Sequence, residues 1–278
     1  MKGKTVVITG GTSGIGEVAA EELARLGARI VVIARSPFRA EAVMARLGIA
    51  NPDAKHAVYI ADLSRLSEMK RVTGEIAAAE PAVDVLVNNA GAMFTRRETT
   101  ADGLEMTFAL NHLAYFVVTN LLLPKLKAGA RIVSTSSDAH KSGKLDLDDP
   151  QSAKAYSGMR AYGTSKLCNI LFTRELARRI EGTGVTANCL HPGFVATRFG
   201  DNNDGFIGWG FAIAKKIAAI TPEEGAKTIV YLAASPEAAG KSGGYYYKSA
   251  LATPSAAARN DADARRLWEA TARIAGVG

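Results

Sequence analysis

From its first residues the chain alternates short apolar runs with segments of helical period, a pattern that few architectures accept. "KTVVITG" is followed by "GIGEVAAEELARLG", then by "ARIVVIAR", "RAEAVMARLG", "HAVYIADL" and "MKRVTGEIAAAE". The alternation continues through "VDVLVNNAG", a long helical stretch from about Gly103 to Leu123, "ARIVSTSS", a helix from about Arg160 to Ile180, and "GVTANCLHPG". Strands that alternate with helices predict an α/β fold, a Rossmann-type doubly wound parallel sheet with helices on both faces. The strands are continuous Val/Ile runs, as expected when both sheet faces are covered. In the first helix Ile15, Val18, Ala19, Leu23 and Leu26 make one apolar stripe, and Gly27 is placed to cap its end. After Thr221 the pattern is a helix, a short aromatic strand in "GGYYYK" and a terminal helix around "DARRLWEATARIAG". No linker interrupts it, so residues 1–278 are expected to form a single domain and one sheet.

Composition narrows the function classes. Of 278 residues 47% are hydrophobic and 22% charged, an ordinary globular balance. The formal charge of +7 is spread along the chain with no block of like charge, which fits a basic surface and no nucleic-acid partner. Cys168 and Cys189 lie in apolar surroundings with no metal-like spacing to the four histidines, so free thiols, no metal and a reducing compartment are expected. With no signal-peptide core and no run of eighteen apolar residues, the expectation is a cytoplasmic chain without an integral membrane span. "FIGWGFAIAKKIAAI", Phe206 to Ile220, is too short to span and carries two lysines.

"TGGTSGIG" follows the first strand and opens the first helix. Glycines permit a tight turn and close backbone approach, while the free N–H groups and dipole of a helix start favour a pyrophosphate. Gly10, Gly14 and Gly16, with Thr12, Ser13 and Ile15 between them, are the candidate cradle; the spacing departs from the usual GxGxxG. An NAD site ends its second strand on a carboxylate for the ribose 2′-hydroxyl. Here that strand ends in Ala34, Arg35 and Ser36, with no carboxylate before Glu41. A guanidinium and a hydroxyl suit a 2′-phosphate, so NADP(H) is the expected cofactor.

"AYGTSKLCN" sets Tyr162 four residues before Lys166 in a helical stretch, which puts phenol and ammonium on one face. "RIVSTSSDAH" offers three hydroxyls, Ser134, Ser136 and Ser137. Asn111, inside the apolar "FALNHLA", is costly there unless its amide is bonded to a backbone group or a water.

"TGGTSGIG", "ADLS", "NNAG", "YGTSK" and "HPGFVAT" occur in that order from the first strand to about Arg198, and together they resemble the short-chain dehydrogenase/reductase family. "DAHKSGKLDLDDPQSAKAY", "SKLCNILFTRELARR" and "PSAAARNDADARRLWEAT" are similar to its retinol dehydrogenase-like branch. The resemblance implies that Asp62 and Leu63 flank the adenine. By the same route Asn88, Ala90 and Gly91 would line the cofactor and brace the strand end, and Pro192, Gly193, Val195 and Thr197 would meet its nicotinamide end. It implies a catalytic set of Asn111, Ser137, Tyr162 and Lys166, with Ser136 as the fallback serine. Tyr162 would exchange the proton, Lys166 would lower its pKa and hold the nicotinamide ribose, and Asn111 would hold a water linking Lys166 to solvent. His191 reads as structural.

The stretch between Ser137 and Tyr162 is longer than in common members, and its Asp146, Asp148 and Asp149 read as an exposed loop. A substrate lid is expected at about residues 200–222, with Phe206, Trp209 or Phe211 closing on an apolar substrate. The family places a homodimer interface on the helices around Asn111 and Tyr162, which the insertion could alter. The resulting expectation is an NADP(H)-dependent oxidoreductase that interconverts a small-molecule alcohol and a carbonyl, apolar or aromatic. A cofactor-binding redox sensor without turnover is the alternative, and the full catalytic set argues against it.

Overall fold

The computed structural model describes residues 1–193 and 220–278. Val195, Thr197, Phe206, Trp209 and Phe211, with most of the expected lid, lie outside the described residues. Among the described residues eight strands form one sheet in the order β3-β2-β1-β4-β5-β6-β7-β8. They are β1 (Thr5–Thr9), β2 (Arg29–Ala34), β3 (Ala57–Ile60), β4 (Val83–Asn88), β5 (Leu126–Thr135), β6 (Thr186–Leu190), β7 (Tyr245–Tyr247) and β8 (Ala250–Ala252). All neighbours pair in parallel except β7 with β8. The order reverses between β1 and β4, and at such a switch point the diverging connections leave a crevice beyond the strand ends.

Alternate residues of each Val/Ile run feed opposite faces. Val7, Val31, Ile33, Leu86 and Ile132 pack under α3 (Leu66–Ala79), α5 (Ala114–Leu122) and α6 (Gly158–Arg179). Val6, Ile8, Ile30, Val32, Val87 and Val133 pack under α1 (Gly14–Arg25), α2 (Pro37–Ala50) and α7 (Pro222–Ala234). The buried stripe of α1 is Gly16, Ala19, Ala20, Leu23 and Ala24. Leu26, expected in it, is 47% exposed because the helix ends there and Gly27 turns the chain at φ +93°.

The stretch expected as one long helix has three parts: the single turn α4 (Met106–Phe108), a π-helical turn at Ala109–Leu113, and α5. Met106–Lys125 is long and apolar enough to cross a membrane by length and composition, contrary to expectation, but 72% of its apolar window is buried in the fold. It is the helix on which β4 and β5 rest. The chain ends in α8 (Asp261–Ala275), whose Trp268 stacks on Phe172 and meets Phe116 edge-on.

In the insertion, residues 138–142 form a 3-10 turn, and Tyr156 then donates to the Phe94 carbonyl at 2.8 Å. Asp146 accepts from the N–H groups of Asp148 and Asp149, and Asp149 from those of Ala153 and Lys154, so these carboxylates shape the loop's own turns.

Candidate active site

A cavity of about 1120 Å³ opens at the carboxyl ends of the strands. Gly10, Thr12, Ser13, Gly14 and Ile15 line one part of it. Gly10 takes φ +68°, and a Cβ there would stand 2.8 Å from the Ala90 Cα, so the loop and the end of β4 touch through a residue without a side chain. Ser13 occupies the N-cap of α1 without capping it through its side chain, which leaves first-turn N–H groups directed at the cavity. Gly16, expected in the cradle wall, lies behind it: an added Cβ would collide with the Gly10 carbonyl and the Asn89 amide.

Arg35 and Ser36 line the same cavity, as do Asp62 and Leu63. Ser36 caps α2 by accepting from the Arg39 N–H, and Asp62 accepts from both N–H and hydroxyl of Ser64. Ala90, Gly91, Pro192 and Gly193 complete the wall toward the other end. Asn88 is not in it. It is the last residue of β4, and its side chain points into the α5 layer, fully buried, and donates to Thr119 Oγ1 at 2.8 Å. The wall position belongs to Asn89, whose Nδ2 donates to the carbonyls of Thr9 and Gly10.

The catalytic candidates converge beyond Gly91. Tyr162 and Lys166 face the cavity from α6, with the Lys166 Nζ 5.5 Å from the Tyr162 ring centroid. Lys166 donates to the Thr135 carbonyl at 3.2 Å. Ser137 lines the cavity beside them and favours the ionised form of the Tyr162 phenol. The fallback serine is otherwise engaged: Ser136 donates to the Lys166 carbonyl at 2.8 Å, bracing α6, and Ser134 is buried outside the cavity lining. Asn111 spends its amide on backbone and on a neighbour. Its Oδ1 accepts from the Ala92 N–H, its Nδ2 donates to the Ala92 carbonyl and to Ser165 Oγ, and its own carbonyl accepts from Asn169. A π turn widens the helix at this point, and such single turns lengthen a backbone bond where a side chain intrudes.

Burial dominates the electrostatics. It pushes the Tyr162 phenol up to about 12, against Ser137, which lowers it, and pulls the Lys166 ammonium down to about 7. Burial is the largest influence on both groups because they are taken out of water together, and Lys166, expected to lower the phenol, is not among the influences on it.

The short chain dehydrogenase family model matches residues 4–205, which spans both the cradle and the Ser137, Tyr162 and Lys166 group. The chain belongs to the short-chain dehydrogenase/reductase family. Within it, the chain is 40% identical over 298 residues to retinol dehydrogenase 14 of Mus musculus, covering 100% of this chain and 87% of that protein. An uncharacterised protein from Mycobacterium paratuberculosis superposes with a TM-score of 0.79 at 31% identity, covering 99% of this chain and 94% of that one. A short chain dehydrogenase from Burkholderia cenocepacia J2315, solved in complex with NADP, superposes with a TM-score of 0.69 at 28% identity, covering 88% and 95%. The chain is thus an oxidoreductase of the retinol dehydrogenase-like branch.

Several residues that shape this oxidoreductase's cavity escaped the sequence reading. Arg39 lines it beside Arg35; its place on the first turn of α2, four residues on, was the available signal. Neither guanidinium has an ion-pair partner among the described residues. Met93, Leu110 and Met159 line the same cavity, as do Tyr245, His191 and Tyr247. His191, read as structural, lines the cavity too, its ring stacked on Tyr247 at 4.1 Å and on Tyr245 at 5.5 Å. No periodicity brings these together, because they come from the β4–β5, β5–β6 and β6–β7 connections and from β7 itself.

Proposed function

We propose that this protein is an NADP(H)-dependent oxidoreductase that interconverts an alcohol and a carbonyl on an apolar or aromatic small molecule. The observation that carries the reading is the convergence of Ser137, Tyr162 and Lys166 on one cavity that the uncapped start of α1 also lines. The residues present fit a dinucleotide. The N–H groups opening α1 suit a pyrophosphate, Asp62 and Leu63 an adenine, and Arg35 and Arg39, without an ion-pair partner among the described residues, a 2′-phosphate. When bound, the nicotinamide supplies or accepts the hydride at C4. The chain's own residues handle the oxygen: the Ser137 hydroxyl and the Tyr162 phenol bond it, and Tyr162 donates the proton in reduction. Lys166, with one hydrogen bond to Thr135, keeps donors for ribose hydroxyls.

Met93, Leu110, Met159, Tyr245 and Tyr247 in the cavity lining support an apolar or conjugated substrate, as does the name of the retinol dehydrogenase relative. A sensor without turnover would have no use for a proton donor held in this way. We further infer a reducing, cytoplasmic setting, since Cys168 and Cys189 are both buried and unpaired.

The test is cofactor titration combined with turnover on aldehydes and ketones of increasing apolar size. NADPH should bind more tightly than NADH. Arg35→Asp should reverse that order, since losing one charge-assisted hydrogen bond costs about 1.5–3 kcal/mol, roughly one to two decades in affinity. Equal affinities in the native protein would remove the 2′-phosphate assignment, and no trend with apolar size would remove the substrate class.

A further inference from the structure

His140 stands three residues after Ser137, in the turn Asp138–Ser142, and is fully buried. Its Nδ1 lies 2.7 Å from the Ser137 carbonyl oxygen, and its Nε2 lies 3.1 Å from the backbone nitrogen of Ser255. A carbonyl can only accept and a backbone N–H can only donate. The ring is therefore neutral, protonated on Nδ1, with the Nε2 lone pair facing Ser255. Tyr245 holds the ring edge-on at 5.3 Å. Ser255 comes just after β8, and Ala252 and Thr253 of that hairpin line the cavity with Tyr245.

We propose that His140 is a positioning residue, a neutral imidazole clasp that ties the backbone of Ser137 to the C-terminal segment at Ser255. It thereby fixes the serine hydroxyl against the Tyr245 to Thr253 wall. The inference rests on the reading of Ser137 as the hydroxyl that bonds the substrate oxygen. Ser137 opens the 3-10 turn that carries His140 and accepts the Ala139 N–H at its own Oγ, so a shift of its carbonyl carries the hydroxyl with it. A misplacement of about 1 Å at a reacting group can cost roughly 100-fold in rate.

The clasp closes only while the ring is neutral. A proton on Nε2 would set two donors face to face inside the fold. Among the described residues the charged and titratable groups around the ring are Asp138 and Lys141 on its own turn, His191 just after β6 and Tyr245 on β7. Burial is the largest influence and lowers the imidazole below its ordinary range; Lys141 adds to it, while Asp138 and the bond to Ser137 oppose it.

Two variants separate the halves of the clasp. His140→Gln keeps an acceptor at the ε position and loses the donor to Ser137, whereas His140→Asn keeps a donor at the δ position and loses the acceptor for Ser255. Both are assayed beside Ser137→Ala with NADPH and aromatic aldehydes, measuring kcat, KM, cofactor Kd and Tm from about pH 5 to about pH 9. His140→Gln should lower kcat by roughly 10- to 100-fold with cofactor Kd unchanged. His140→Asn should chiefly raise KM, because the far wall is released. The acid limb that imidazole protonation gives the native kcat profile should be missing from both.

Native kcat with an unchanged acid limb in both variants overturns the proposal. So does a common drop in Tm, kcat and cofactor affinity with the limb retained, the mark of a merely structural residue. Ser137→Ala with native turnover would instead remove the underlying site reading, whereas its inactivity beside normal His140 variants removes the clasp alone. Independently of turnover, imidazole nitrogen spectra of the full chain, assigned with His140→Asn, should show His140 as the neutral Nδ1–H tautomer. An Nε2–H tautomer, or a charged ring at neutral pH, overturns the clasp.

Discussion

At the residue scale the proton chemistry turns on how burial sets Tyr162 and Lys166. A phenol pushed up to about 12 is a neutral donor at any ordinary pH, suited to protonating the oxygen of a carbonyl under reduction. Alcohol oxidation needs the phenolate, so its rate should climb with pH well past neutrality while carbonyl reduction stays flatter over the same range. Rate profiles measured in both directions check this, and parallel profiles would contradict it. Tyr162→Phe keeps the ring and loses the proton; turnover should fall roughly 100- to 10,000-fold with cofactor binding intact. Lys166→Met should impair both binding and turnover, because one ammonium serves phenol and ribose. The spacing of Tyr162 and Lys166 was legible in the sequence because four residues fix a helix face. The direction of their shifts was not, since burial depends on what the rest of the chain packs around them.

At the element scale, the helix-like period from Met106 to Leu122 hid a π turn. One extra residue in a turn scarcely alters an apolar period, and the cause is tertiary: Asn111 bonds Ala92 with both ends of its amide while Asn169 takes its carbonyl. The β8 strand was missed for a different reason. Ala250, Leu251 and Ala252 lack β-branched or aromatic character, and the turn before them uses Lys248 and Ser249 at φ 49° and 60° in place of the usual Asn-Gly.

The same π turn carries His112, bonded at Nε2 to Thr271 Oγ1 of α8 (3.0 Å) and at Nδ1 to Asn169 Oδ1 of α6 (3.4 Å). Burial pulls its imidazole from 6.5 down to about 4. The unfolded chain therefore takes up this proton first as pH falls. Stability tied to His112 is whole above pH 6.5, drains away between 6.5 and about 4, and is lost below that. The window is worth about 3 kcal/mol. Denaturant titrations should show the native protein losing about that much more than His112→Gln between these limits. Parallel stability profiles would show that His112 does not titrate on unfolding.

At the scale of the whole molecule, the doubly wound sheet was legible because long Val/Ile runs leave a chain no other way to bury both strand faces. The place of the terminal helix was not. It was expected only to finish the sheet; α8 instead lies over α5 and α6, with Trp268 5.7 Å from Phe172, 4.8 Å from Phe116, and the Arg179 guanidinium 4.4 Å over its ring. This is the helical layer on which the family resemblance places a homodimer, and here the chain's own helix covers part of it. Arg265, Arg266, Glu269 and Arg273 point outward from α8, so the surface offered to a second copy is charged, and pairing through Phe116 and Phe172 would require α8 to leave. Trp268→Ala should cost about 3–5 kcal/mol, the usual loss for a large buried aromatic, because it removes the side chain that seats α8 on both rings. We therefore expect a monomer in sedimentation equilibrium for the full chain, and self-association for a chain ended at Asn260, where Phe116 and Phe172 would meet water. A full-length dimer that Trp268→Ala splits would show that α8 builds an interface and does not cover one.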